Sequence, residues 1–196
     1  MLALLVGLAA PVHADDTARD AALARPPLFV CGTDAQQDMG YLVLSADDSG
    51  DNSEAPTGLR FQRFADGDGH EVLRFPPEGA ADGKAFRFAH SDGPDGYLVS
   101  IRFGSGGADY LLYSLAVPPD PSDPNDMGGG TAALTVSRDG RQVDEISCIE
   151  RPTLFIDQMR RAMACDAGAP EGPAACAETP PRRSEPIDPA ALGLDD

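Results

Sequence analysis

Four cysteines (Cys31, Cys148, Cys165 and Cys176) and three histidines (His13, His70 and His90) carry the most chemistry in this 196-residue chain. Thiolates and imidazoles at ligand spacing would hold zinc, and a serine or cysteine beside a histidine would attack a carbonyl carbon. Neither arrangement has its signature here. The cysteines form no C-x-x-C pair, no Gly-x-Ser-x-Gly elbow surrounds Ser105, and beyond residue 14 only His70 and His90 could serve as a base. The run Asp66-Gly67-Asp68-Gly69-His70-Glu71 resembles part of a calcium loop. If Gly69 takes the turn position, however, the first and last ligand positions fall on Phe64 and Phe75, which offer no oxygen. The run therefore reads as a tight hairpin turn, and Asp47–Glu54 as a solvated acidic loop. Carboxylates abound, yet no spacing marks two of them as a glycoside-cleaving pair. The expectation is a chain that is not an enzyme and takes no cofactor and no metal.

What surrounds the cysteines explains them better than catalysis does. Leu2 to Ala10 is apolar, and Val12-His13-Ala14 ends in the small residues that a signal peptidase accepts, so residues 1–14 read as a signal peptide and Asp15 as the mature start. The first basic side chain, Arg19, follows that cut. A chain exported to the periplasm or secreted meets an oxidising compartment, where an even number of cysteines implies disulfides. No other apolar run approaches the roughly 20 residues that span a bilayer, so the chain is not expected to cross a membrane. The formal charge of −17, with Lys84 the only lysine, excludes a nucleic-acid partner, because phosphate backbones require a basic surface. Electrostatically, the chain suits a cationic partner.

These residues need a scaffold, and the pattern supplies a β-rich one. Residues 15–27 read as a linker or a frayed helix ending at Pro26-Pro27. From Leu28 short apolar or alternating runs recur between Gly, Pro, Asp and Asn clusters: 28–31, 41–45, 59–64, 71–75, 85–90, 96–103, 109–117, 131–138 and 141–149. They predict a mainly β domain over 28–150, an antiparallel barrel or sandwich of about eight or nine strands. Tyr97, Val99, Ile101 and Phe103 alternate along the clearest strand. Asp139-Gly140 predicts a type I′ hairpin, and the odd phase of Val143 against Ile146 and Cys148 predicts a bulge near Asp144 or Glu145. Residues 151–178 read as a helix, capped by Thr153 with Phe155, Met159 and Met163 on one face, followed by a disulfide loop. Residues 179–196 lack periodicity and are expected to be disordered. The cysteines allow three pairings; strand order points to Cys31–Cys148, closing the β domain, and Cys165–Cys176, stapling the tail.

Phe29-Val30-Cys31-Gly32, then Gly104-Ser105-Gly106-Gly107-Ala108-Asp109-Tyr110, then Ile146-Ser147-Cys148 resemble in order the membrane-bound C-type lysozyme inhibitors. The layout is also similar to uncharacterised small exported proteins of Gram-negative bacteria. The first resemblance implies a small exported barrel with a disulfide between first and last strands and a Ser-Gly-x-x-Tyr loop facing the lysozyme cleft. Here Ser105 and Tyr110 occupy that loop, with one extra residue between them and no Trp in the chain. Asp120, Asp123 and Asp126 lie on a long Pro- and Gly-rich connection without basic residues, the other candidate for meeting a cationic surface. The functional expectation is an exported non-enzymatic binding or inhibitory module for a cationic protein, such as a lysozyme, or for an envelope component. A lipocalin-like carrier of a small apolar ligand is the alternative, distinguished by whether the interior is filled or hollow.

Overall fold

The computed structural model describes residues 14–33, 40–50, 54–65, 69–77, 85–94, 96–119, 122, 128–169, 172–179, 182 and 185–186. Among them are α1 (Ala14–Leu23), β1 (Pro27–Gly32), β2 (Tyr41–Ser45), β3 (Arg60–Phe64), β4 (Glu71–Phe75), β5 (Arg87–Gly93), β6 (Gly96–Ser105), β7 (Ala108–Val117), β8 (Gly129–Arg138) and β9 (Arg141–Ser147). Then come β10 (Thr153–Leu154), α2 (Ile156–Ala162), β11 (Ala164–Cys165) and a 3-10 turn at Gly172–Cys176. The strands form a five-stranded sheet, order β10-β1-β2-β3-β4, and a six-stranded sheet, order β11-β5-β6-β7-β8-β9. The architecture is mainly β and sandwich-like, with no closed barrel.

Each of the nine apolar runs became one of β1–β9. Their shared logic is alternation. Leu42 and Leu44 on β2, Phe61 on β3, Phe75 on β4, Phe88 on β5 and Val99, Ile101 and Phe103 on β6 point into one core between the sheets. The Asp139-Gly140 turn has both residues at positive φ, 52° and 73°, as a type I′ hairpin demands. The bulge falls at Val143, beside the expected position: Val136 pairs with Asp144 but Ser137 with Gln142, leaving Val143 unpaired and 57% exposed.

At the ends of the chain the helical reading of residues 15–27 holds over the linker, and two expectations are corrected. The segment read as a linker or frayed helix forms α1, whose Ala22 is buried against Val43 and Phe64 on the outer face of the five-stranded sheet. Thr153 is not a helix cap. It joins β10 opposite Val30, Phe155 takes the cap position without a side-chain bond, and α2 starts only at Ile156. The buried face of α2 is therefore Ile156, Met159 and Met163, while Phe155 is 37% exposed. The reason is competition for backbone partners: the open edge of β1 captures Thr153 and Leu154 before the helix can use them. Beyond residue 179, Arg182 makes a parallel bridge to Asp92 and an ion pair with its carboxylate at 3.3 Å, so this part of the tail is held to β5.

The chain crosses between the sheets three times, from β4 to β5, from β9 to β10 and from β10 to β11, and the last two crossings are fastened. After β9 it passes to the five-stranded sheet, where the Ile149 N–H donates to the Gly32 carbonyl and Cys148 is bonded to Cys31 on β1. α2 then leads back from β10 to β11, where Cys165, bonded to Cys176, pairs with Phe88. Both disulfides join the pairs that strand order indicated, and they fit an oxidising compartment. No helix among the described residues is long and apolar enough to cross a membrane.

Candidate functional site

The β6–β7 hairpin turns through Gly106 and Gly107, both at positive φ (61° and 76°), a conformation that L side chains rarely adopt. A methyl group at either position would meet nothing, so the turn stands in open space. The register pairs Ser105 with Ala108, Gly104 with Asp109 and Phe103 with Tyr110. Alternation then puts Phe103 and Tyr110 on the core side of the sheet, with Ser105 on that same side one step nearer the turn. Ser105 and Tyr110 are thus diagonal neighbours, roughly 7–8 Å apart. These two sequence candidates do come together.

Tyr110 ends a stack of rings. It lies flat on Phe103, with centroids 4.9 Å apart and planes 3° from parallel. Phe103 in turn stacks on Phe75 at 4.9 Å and meets Phe61 and Phe86 at 5.0 and 5.5 Å. Rings from β3, β4 and β6 and from Phe86 beside β5 pack between the sheets, which fixes the Tyr110 ring from below while leaving it partly exposed. Its hydroxyl has no hydrogen-bond partner among the described residues.

The same row continues across the sheet. Tyr110 pairs with Val136, and Val136 with Asp144, because the Val143 bulge moves Asp144 into phase. Asp144 then meets Arg63 of β3 at 3.5 Å, an ion pair across the mouth between the two sheets. Ser105, Tyr110, Asp144 and Arg63 rim this mouth, with the turn Arg138–Arg141 beside it, since β8 ends where β7 begins. The Arg63–Asp144 contact spans 81 positions of sequence. Its only trace in the sequence is the phase slip at Val143.

Asp120, Asp123 and Asp126 lie outside the described residues, but their connection springs from Val117 and Gly129, which pair with each other. That strand end is seven positions along β7 from Tyr110, about 23 Å at the usual rise per residue. The anchors of that connection, Val117 and Gly129, therefore lie at the opposite end of the six-stranded sheet from Tyr110. Cys31, Cys148, Cys165 and Cys176 all serve as disulfides, and none is free.

The other end holds a different tyrosine. Tyr97 on β6 is half-buried, and its hydroxyl lies 2.6 Å from His90 Nδ1. His90 Nε2 lies 2.6 Å from the Ala177 carbonyl. A carbonyl can only accept, so Nε2 carries hydrogen and donates to it, while the tyrosine hydroxyl engages Nδ1. Burial, with Asp157 and Asp92 nearby, pushes the Tyr97 phenol above its ordinary value of 10.0, against the pull of Arg160. His90 is not a surface histidine: it is 3% exposed and ties the tail to the core. The Asp66–Asp68 part of the calcium-like run lies outside the described residues; the Ala65 N–H donates to the His70 carbonyl at 2.9 Å, closing the β3–β4 hairpin around it. Among the described residues there is no group of three or more His, Cys, Asp or Glu that could hold a metal ion.

The mouth at Tyr110 presents an oriented ring whose hydroxyl is unpartnered among the described residues, a small hydroxyl beside it and a charged pair at the rim. No protein-family model, no curated protein and no solved structure matches this chain.

Proposed function

We propose that this chain is an exported, non-enzymatic binding or inhibitory module for a cationic protein or envelope component, with its contact surface at the mouth around Tyr110. The observation that carries the reading is Tyr110 itself. Its ring is held flat on Phe103, it remains partly exposed, and its hydroxyl is unpartnered among the described residues. A tyrosine already fixed in place loses little conformational entropy on binding, which is why such residues anchor interfaces. The net charge of −17 would raise the encounter rate with a cationic partner without needing charges at the contact itself.

Two observations support this reading over its rivals. The rings of Phe61, Phe75, Phe86 and Phe103 fill the space that a carrier of an apolar ligand would keep open. Both ring nitrogens of His90 are engaged in structural bonds, which leaves that histidine no free lone pair for proton transfer. The resemblance to C-type lysozyme inhibitors rests on the Ser105–Tyr110 loop, and this is the loop that reaches the mouth.

The test is surface binding of the oxidised chain, residues 15–196, to a panel of cationic proteins that includes a C-type lysozyme, at low ionic strength. At least one should bind saturably, and the affinity should fall as salt is raised. Failure of every cationic protein to bind at low salt would remove the reading.

A further inference from the structure

In a chain this acidic, one cluster of arginines is out of place. On the outer face of the five-stranded sheet, Ser45 of β2 lies directly opposite Arg60 of β3, and Gln62 of β3 directly opposite Arg74 of β4. Opposed residues share a face with Cβ atoms about 5 Å apart. Arg25, just past α1, reaches the same place: its Nη2 donates to the Gly58 carbonyl at 3.3 Å and pairs with the Asp47 carboxylate. Gly58 lies two residues before Arg60, and Asp47 two residues after Ser45.

The charges do not balance. Arg25 has Asp47, and Arg74 holds Glu71 through two bonds of 2.7 Å. Arg60, half-buried between them, has no ion pair or hydrogen bond among the described residues. Nor are the neutral groups satisfied. Ser45 Oγ, in a side chain with no exposed surface, has no hydrogen-bond partner, and neither have Gln62 Oε1, in a side chain 3% exposed, and Arg25 Nε. Three of the four unpartnered buried polar side-chain atoms among the described residues are thus gathered around one surplus guanidinium, and two of them, Ser45 Oγ and Arg25 Nε, are donors. The electrostatics agree with the geometry. After burial, the Arg60 charge is the largest influence lowering the Arg25 guanidinium, and Arg74 adds to it, while the charge and hydrogen bond of Asp47 pull the other way.

We infer that Arg25, Ser45 and Arg60, with Arg74 beside them, form a binding site for a single phosphate or sulfate group on the outer face of the five-stranded sheet. A tetrahedral oxoanion supplies acceptors in several directions at once, matching a hydroxyl, an Nε–H and a guanidinium fork that come from three different segments. It also neutralises the surplus charge of Arg60. The overall charge of −17 repels an anionic membrane surface, so the source is a free ion or a small soluble ester rather than a lipid headgroup. The site is separate from the Tyr110 mouth and does not depend on the function proposed for it.

The experiment titrates the oxidised chain with sodium phosphate at ionic strength held constant by sodium chloride, followed by calorimetry and by amide NMR shifts. Saturable binding is expected, with shifts centred on Ser45, Arg60, Gln62 and Arg74. Arg60→Gln should weaken binding at least tenfold and Ser45→Ala should weaken it measurably, while Arg141→Gln at the exposed hairpin turn should leave it unchanged. Because Arg60 is partly exposed, its variant should fold, and an unchanged NMR dispersion confirms that. Acetate should bind more weakly than phosphate, and vesicles of phosphatidylcholine with phosphatidic acid should not bind. No saturation, equal binding by Arg60→Gln, shifts centred elsewhere, or acetate binding as tightly as phosphate would each overturn the proposal. Vesicle binding lost in Arg60→Gln would keep the site and reassign its source to a headgroup.

Discussion

Tyr97 and Tyr110 stand near opposite ends of the six-stranded sheet, each half-buried against the same core, and they differ in what their hydroxyls do. Tyr97 gives its hydroxyl to His90, whose other nitrogen is bonded to the Ala177 carbonyl, so this end is a lock on the tail. Tyr110 rests on Phe103 and has no such partner among the described residues. Burial against one core therefore leaves two outcomes open, and the hydrogen bond decides between them. A satisfied tyrosine is structure, whereas a fixed tyrosine with a spare donor is surface for a partner.

The comparison can be broken first at the covalent level, where effects are largest. Cys148 lies near the Tyr97 end, its N–H bonded to the Ala132 carbonyl, and its disulfide spans 117 positions against 11 for Cys165–Cys176. The chain-entropy model assigns about 5 kcal/mol to the longer loop and about 3 kcal/mol to the shorter. Cys148→Ser should therefore lower the thermal midpoint clearly more than Cys176→Ser; equal losses would mean that the staple of the tail matters as much as the closure of the sandwich.

At the Tyr110 end, Phe103→Ala should cost about 3–5 kcal/mol, because it removes the ring on which Tyr110, Phe75, Phe61 and Phe86 all converge. Urea unfolding measures it. A loss below about 1 kcal/mol would show that the stack does not hold Tyr110.

Smaller still is the effect of Tyr97→Phe, about 1 kcal/mol for one hydrogen bond, and pH reports it more sharply than the midpoint does. The folded phenol lies above its ordinary 10.0, so its contribution is fully present below that pH and is lost as pH rises through the folded value. Tyr97→Phe should remove that part of the alkaline loss of stability. The same loss in wild type and variant would show that Tyr97 is not a lock.

The sequence carried much of this fold because alternation is local. Nine short runs with turn residues between them sufficed to place β1–β9, the Asp139-Gly140 hairpin and, through one phase slip, the bulge at Val143. It failed where a long-range partner overrode local preference. Thr153 and Leu154 sit in a helical pattern, yet β1 captures them as a two-residue strand. His90 alternates like any strand residue, and nothing nearby in sequence announces that Ala177 will cover it, 87 positions away. The candidate site divides in the same way. Ser105 and Tyr110 were legible because one hairpin joins them, but the ion pair from Arg63 to Asp144 crosses between sheets. The acidic connection was legible as composition, and only the β7–β8 register places its anchors at the far end.

Binding kinetics against whichever cationic protein the panel identifies test the central claim, that the free tyrosine is the contact and the acidic connection only steers. Tyr110→Ala should raise the dissociation rate roughly 30-fold, the effect of a central anchor worth about 2 kcal/mol, with little change in association. Replacing Asp120, Asp123 and Asp126 together by Asn should slow association and flatten its salt dependence while leaving dissociation unchanged. The reverse pattern, with dissociation untouched by Tyr110→Ala and accelerated by the triple Asn variant, would put the contact at the other end of the sheet and contradict the account.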